Sequence, residues 1–263
     1  VPVGMAMGLV GVCGYSYIVG SGPALKLIGQ TSMRTVTDYT FGVIPMFMLM
    51  GAFVSVSGVS RELFRAANAF IGHLRGGLGV ATVLACGGFA AICGSSVATA
   101  ATFSSVAYPE MRRFGYPQSF STGVIAAGGT LGAMLPPSTV LAVYAILTQQ
   151  DIGKLFMAGI IPGLLLALSL MLVTWYISKK RGYLPLRRHY AGHGAVWSAF
   201  KQALWALSIP VFIIVGIRYG IFTPTEAAAV AVFYALVVGM LIYREINIAS
   251  LMVVLRKSVI SSA

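Results

Sequence analysis

Residues 76–109 run thirty-four positions without a charged side chain, and their middle reads Cys93-Gly94-Ser95-Ser96-Val97-Ala98-Thr99. One continuous helix of that length would rise ~51 Å, against a hydrocarbon core of roughly 30 Å. Between Ala85 and Ser105 only Phe89, Ile92, Val97 and Phe103 exceed Ala, Cys, Gly, Ser or Thr in size. So little bulk offers lipid tails almost nothing to pack on, which predicts a segment enclosed by protein. The spacing therefore predicts two half-helices that enter the bilayer and return, turning at Gly94-Ser95-Ser96. Non-helical backbone at membrane depth persists only where it is buried in protein or lines a wet cavity. The turn thus predicts an ion or solute site.

Composition agrees with a membrane setting. Hydrophobic residues make up 58% of the chain and charged residues 9%, and the mean hydropathy is +0.88. The apolar residues fall in long blocks, at about 1–25, 39–59, 76–109, 119–148, 155–178, 203–220 and 222–243, as in an all-α polytopic membrane protein. The net charge of +12 comes from basic residues clustered in the short segments between these blocks. That is a positive-inside pattern and not a nucleic-acid face. With 76–109 folded back on itself, fourteen Lys and Arg fall on one side and four on the other, which places the richer side in the cytoplasm. A full crossing by 76–109 gives thirteen against five, so the hairpin rests on length and composition. Cys13, Cys86 and Cys93 sit within apolar segments and read as small buried hydrophobes; His73, His189 and His193 read as loop residues with no metal-ligating companions. No signal peptide is visible before the first block, and the chain reads as a piece of a longer polypeptide.

A second interruption lies in the thirty-seven uncharged residues between Arg113 and Asp151. They contain Gly128-Gly129-Thr130-Leu131-Gly132-Ala133-Met134-Leu135-Pro136-Pro137-Ser138. Proline lacks an amide donor and clashes with the preceding turn, so the helix must break or kink there. Unwinding would free backbone carbonyls, hard oxygen ligands of the kind Na⁺ uses in discontinuous transporter helices. A simple proline kink is the other reading, and this segment alone does not decide between them.

The acids bear on the coupling ion. Asp38, Glu62, Glu110, Asp151, Glu226 and Glu245 all fall at span ends or in connecting segments, whereas a proton relay needs an ionisable group within the membrane. Neutral oxygen ligands for Na⁺ are the better reading. Thr223-Pro224-Thr225-Glu226 reads as a capping box opening a helix, with a substrate-binding glutamate as the alternative. In 61–75, Leu63, Phe64, Ala67, Phe70, Ile71 and Leu74 share a helical face opposite Arg61, Arg65 and Arg75, which predicts an interfacial amphipathic helix, with a partner-binding helix as the alternative.

Several segments, in this order and spacing, resemble the large membrane (permease) subunit of the tripartite ATP-independent periplasmic (TRAP) transporters. They are Pro45-Met46-Phe47, His73-Leu74-Arg75-Gly76-Gly77-Leu78, Gly94-Ser95-Ser96-Val97-Ala98-Thr99-Ala100, Pro136-Pro137-Ser138, Ala158-Gly159-Ile160-Ile161-Pro162-Gly163, and Gly220 through Ala228. The resemblance implies an elevator fold of the ion-transporter superfamily, holding the first inverted repeat and the start of the second. It divides the chain into scaffold helices (1–60), an arm helix (61–75), a transport-domain hairpin and broken helix (76–150), and a helix closing the repeat (151–178). A cytoplasmic loop (179–202) and the opening helices of the second repeat (203–263) follow. It implies Na⁺-coupled uptake of organic acids such as C4-dicarboxylates or sialic acid. The partners would be a small membrane subunit and a periplasmic solute-binding protein, in the bacterial inner membrane and without a cofactor. By position, Gly94, Ser95, Ser96, Gly129, Thr130 and Gly132 would hold Na⁺, and Ser96, Thr130 and Ser138 would touch substrate.

Rival readings are an ion channel, a non-transporting membrane scaffold, and an intramembrane serine hydrolase. The last requires a base beside Ser95 or Ser96, and every histidine falls in a loop while no lysine or acid lies inside a span.

Overall fold

The structure, a computed structural model, describes residues 3–74, 76–183, 192–247, 251–256 and 258, without the side chains of residues 3, 36, 193 and 195. The described residues with regular secondary structure are all helical. Among them, five segments are long and apolar enough to cross a membrane: Tyr39–Val56, Gln118–Leu147, Ile152–Lys180, Val196–Arg218 and Pro224–Ile242. The chain is a multi-pass membrane protein.

Residues 1–42 form one unit. It pairs α1 (Val3–Val19) with α2 (Ser21–Thr37) and ends in a 3₁₀ turn at Tyr39–Gly42. The single span expected over 1–25 is thus split. Gly20 takes φ +100°, closed to most L-residues, and Pro23 sits in the first turn of α2, where its missing amide is no loss. Cys13, expected to be buried, is exposed on α1.

The second unit, residues 43–263, is built around the predicted hairpin. Its arms are α5 (Gly77–Cys93) and α6 (Ser96–Arg113). Two contacts show that the arms run back along each other. The rings of Phe89 and Phe103 meet edge-on at 5.7 Å, and the Thr82 hydroxyl lies 3.7 Å from Met111 Sδ. In one straight helix these pairs would stand ~21 and ~44 Å apart. The turn is made by Gly94 in the left-handed region (φ +63°) and Ser95 in extended conformation, whose hydroxyl accepts from the Ala98 amide and caps α6.

Small side chains let α5 serve as the hub. It is buried over almost its whole length and touches α3 (Val43–Val56), α4 (Val59–Ile71), α7 (Gln118–Gly129), α8 (Leu131–Met134), α10 (Ile152–Lys180) and α11 (His193–Arg218). Without a water-driven hydrophobic effect between spans, close packing of small residues is what holds membrane helices together. A methyl on Gly128 would lie 3.0 Å from Cys86 Sγ, which measures how closely α7 approaches α5. Cys86 and Cys93 are buried free thiols, as their apolar settings predict.

The amphipathic α4 turns Leu63, Phe64 and Ala67 inward, where it packs on α5 and α11. Phe70 and Leu74, assigned to the same face, stay exposed, and Phe70 meets Phe200 of α11 edge-on at 6.2 Å. Arg75 lies outside the described residues. So does 184–191 of the expected loop over 179–202, including His189; α11 begins within that range, at His193. The stretch 192–202 therefore supplies the first turns of a helix that continues into the span. α12 (Pro224–Val237) opens with the expected capping box. The Thr223 hydroxyl accepts from the Glu226 amide at 3.3 Å while the Glu226 carboxylate accepts from the Thr223 amide at 2.8 Å, so Glu226 is engaged as a cap.

The re-entry that the sequence predicts for these arms is open to labelling. Single cysteines at Leu74 and Gly115, in a background lacking the three native thiols, are expected to react with an impermeant maleimide from the same side of sealed vesicles. Labelling from opposite sides would contradict the hairpin.

Candidate functional site

The second interruption falls where the glycines and prolines predict it. α7 stops at Gly129, α8 adds one turn, and Leu135-Pro136-Pro137-Ser138 leaves helical conformation before α9 (Thr139–Leu147) resumes. The Thr130 amide tightens to a 3.2 Å bond with the Ala127 carbonyl. Ser138 takes extended conformation, and its hydroxyl accepts from the Leu141 amide at 3.4 Å while donating to the Ala133 carbonyl at 2.8 Å. The broken segment is thus closed by its own side chain.

Into this break fits the tip of the hairpin. The Gly94 carbonyl oxygen accepts two bonds from Thr139, one from its amide at 3.2 Å and one from its hydroxyl at 3.0 Å. A Cβ on Gly94 would run into the Pro137 carbonyl oxygen, so its left-handed backbone and its seat both require glycine. Across the tip, a Cβ on Gly132 would stand 2.6 Å from the Ser95 carbonyl carbon and 2.8 Å from the Ser96 amide nitrogen. One on Gly129 would stand 3.1 Å from the Ser96 carbonyl oxygen. Of the six residues assigned to Na⁺ by position, Ser95 and Ser96 thus lie against Gly129 and Gly132, while Gly94, next to Ser95 in the chain, meets Pro137 and Thr139 instead. Thr130 lies between the two glycines with its side chain exposed, its hydroxyl donating to the Ala127 carbonyl at 2.6 Å.

The candidate substrate hydroxyls differ in setting. Ser96 is half-buried, Thr130 exposed, and Ser138 fully buried and committed to its cap. Thr139 and the Pro137 carbonyl are contributors that sequence reasoning did not name. The signal was a Ser-Thr pair directly after Pro-Pro, which marks a new helix start whose second hydroxyl is free to reach outward. Beside the tip opens a cavity of about 300 Å³, bounded by Met48, Gly51 and Ser55 of α3, by Ser95 and by Thr139. Among the described residues no charged side chain lines it. The Ser95 hydroxyl oxygen accepts from the Ala98 amide as a helix cap, and among the described residues no histidine, lysine or carboxylate lines the cavity beside it to take a nucleophile's proton.

The whole of residues 1–263 matches the family described as "Tripartite ATP-independent periplasmic transporter, DctM component". The chain belongs to this family. It is 43% identical over 253 residues to the C4-dicarboxylate TRAP transporter large permease protein DctM of Pseudomonas aeruginosa, covering 96% of this chain and 58% of that protein. It is 37% identical to the protein of the same name from Rhodobacter capsulatus, over 100% of this chain and 62% of the relative. With the 2,3-diketo-L-gulonate TRAP transporter large permease protein YiaN of Escherichia coli it shares 39% identity over 86% of this chain and 53% of that protein. The chain thus spans somewhat more than half the length of these relatives, all named as transporter permeases and not as enzymes.

For a TRAP large subunit of this build, the seat at Gly132 is a strict requirement. Gly132→Ala forces a methyl against the Ser95 backbone, and an overpacked contact of this kind costs roughly 1–3 kcal/mol. A lowered melting temperature of the detergent-solubilised protein is expected, whereas Gly123→Ala, with open space around it, is expected to leave it unchanged.

Proposed function

We propose that this chain forms the first half of the membrane core of a Na⁺-coupled carrier for small organic anions. The observation that carries the proposal is the meeting of two interrupted helices at one point. α5 ends there and α6 and α9 begin there, each of the latter capped by a serine, Ser95 and Ser138. In discontinuous transporter helices, half-helix N-termini face anionic groups while unwound carbonyls and C-terminal ends coordinate the cation. The partial positive charge at the starts of α6 and α9 suits a carboxylate. The carbonyls and hydroxyls of Ser95, Ser96, Gly129, Thr130 and Gly132 suit Na⁺, and Gly94 shapes the turn that presents them, its own carbonyl being held by Thr139.

The solute occupies the cavity beside the tip against Ser95 and Thr139, with Ser96 of the hairpin tip and Thr130 of the facing break on the cation side. Ser138 enters through the helix it caps. Relatives named for C4-dicarboxylate, 2,3-diketo-L-gulonate and sialic acid all carry a carboxylate, which supports an organic acid as the solute. In this reading residues 76–150 move as a transport body against helices of 1–60, linked by the arm at 61–75. A small membrane subunit and a periplasmic solute-binding protein complete the system in the inner membrane.

The test is uptake of a panel of small carboxylic acids into proteoliposomes holding the intact three-part system, with and without a Na⁺ gradient. Ser95→Ala and Thr130→Ala are each expected to raise the half-activating Na⁺ concentration by about tenfold, the value of one lost ligand of ~1.4 kcal/mol, at unchanged expression. Identical Na⁺ activation in both variants, or a solute-independent current, would overturn the proposal.

A further inference from the structure

The cavity beside the hairpin tip has a wall that the carrier reading leaves unused. Met48, Gly51, Ala52 and Ser55 bound it from α3, and their spacing of i, i+3, i+4 and i+7 makes one continuous helical face. Ser95 of the hairpin and Thr139 of α9 line the same space. Met48, Ala52, Ser55, Ser95 and Thr139 are all partly exposed, so a small molecule in the cavity can reach each of them.

Three of the four α3 residues are short, for different reasons. Gly51 is short by necessity: a Cβ there would stand 2.8 Å from the Cys93 carbonyl oxygen and 2.9 Å from Cys93 Sγ, where α3 meets the end of α5. Ser55 turns its hydroxyl back to donate to the Ala52 carbonyl at 2.8 Å. Ala52 is under neither constraint, and its length sets how far the wall stands back. Met48 is the one long side chain on this face, and its unbranched thioether adapts to what lies beside it. The space left, about 300 Å³, is at the small end for a ligand pocket. Polar capacity is small as well. The Ser95 hydroxyl accepts from the Ala98 amide at its oxygen and can still give its proton, whereas the Thr139 hydroxyl spends its own on the Gly94 carbonyl. That suits one carboxylate followed by hydrocarbon better than a sugar acid studded with hydroxyls.

We propose that this face of α3 is a size filter for the carrier, with Ala52 as the specificity-determining position. It admits a short-chain carboxylic acid, with a carboxylate at Ser95 and the carbon chain along Ala52 and Met48, and it excludes a bulky sugar acid. The proposal rests on the carrier reading for the place of the solute, and not on the identity of the coupling ion.

Protection from thiol labelling tests it. Ala52→Cys is made in the intact permease lacking the three native thiols, reconstituted with its small membrane subunit, and treated with a small water-soluble thiosulfonate. Succinate at about ten times its half-saturating concentration is expected to slow labelling about tenfold. Sialic acid is expected to leave the rate unchanged, and neither acid to alter labelling of Gly115→Cys, in open space at the far end of α6. Adding Met48→Ala is expected to extend protection to sialic acid, and Ala52→Leu to raise the half-saturating succinate concentration for uptake about tenfold, the effect of an overfilled contact. Equal protection by the two acids in the presence of Met48 overturns the filter. So does protection by neither acid while succinate uptake remains Na⁺-driven, a result that leaves the carrier reading intact. Size-selective protection with uptake indifferent to Na⁺ supports the filter and fails the coupling alone.

Discussion

Two helices that break inside a membrane each create backbone groups with no partner, and lipid supplies none. In this protein the two breaks answer each other. The Gly94 carbonyl, left over at the end of α5, is taken by the amide and hydroxyl of Thr139 at the start of α9. Ser95 and Ser138 close the helix starts on either side with their own hydroxyls. Neither interruption is sustainable alone, and the contact between them requires Gly94 and Gly132, because a methyl at either would strike opposing backbone. The rest of the second unit is arranged to hold this junction. α5 is enclosed on most sides, so its end is fixed by packing of small side chains and not by loops.

Electrostatics at the junction follow from the same arrangement. Among the described residues no acidic or basic side chain bounds the adjoining cavity, so their contribution to the local field comes from helix ends and oriented hydroxyls. Such a field is weak compared with a full charge, but in a site of low dielectric it is not screened away. Such a setting matches the neutral oxygen ligands proposed above for Na⁺.

Much of this was legible in residues 76–109 and 114–150. The length of each uncharged run, set against the bilayer, forces a break, and Gly94-Ser95-Ser96 and Gly128 through Ser138 are places where the residue types permit one. Which break meets which atom was not legible. Thr139 looks like any helix-opening threonine, and its reach to a carbonyl 45 residues earlier depends on how α6 and α7 pack. The split at Gly20 was missed because an apolar run from 1 to 25 carries the length of one span, and hydropathy does not register a glycine with positive φ. The start of α11 at His193 was missed for a related reason: its first turns carry Trp197 and Lys201, and read as a loop when judged by polarity. Conversely, the Thr223-Pro224-Thr225-Glu226 cap was read correctly because all its partners lie within four residues.

α10 is 29 residues long, ~44 Å at helical rise, in a hydrocarbon layer of roughly 30 Å. It is also the helix pressed against the broken segment: methyls on Gly159 and Gly163 would stand 3.0 Å from the Met134 carbonyl oxygen and 2.8 Å from Leu135 Cδ2. A span longer than the layer around it tilts, kinks or thickens the bilayer locally, and each adjustment depends on membrane thickness. Because α10 touches the unwound segment directly, a thicker or thinner membrane acts as a lever on that segment, and the lipid composition of the host membrane becomes a mechanical input to the junction.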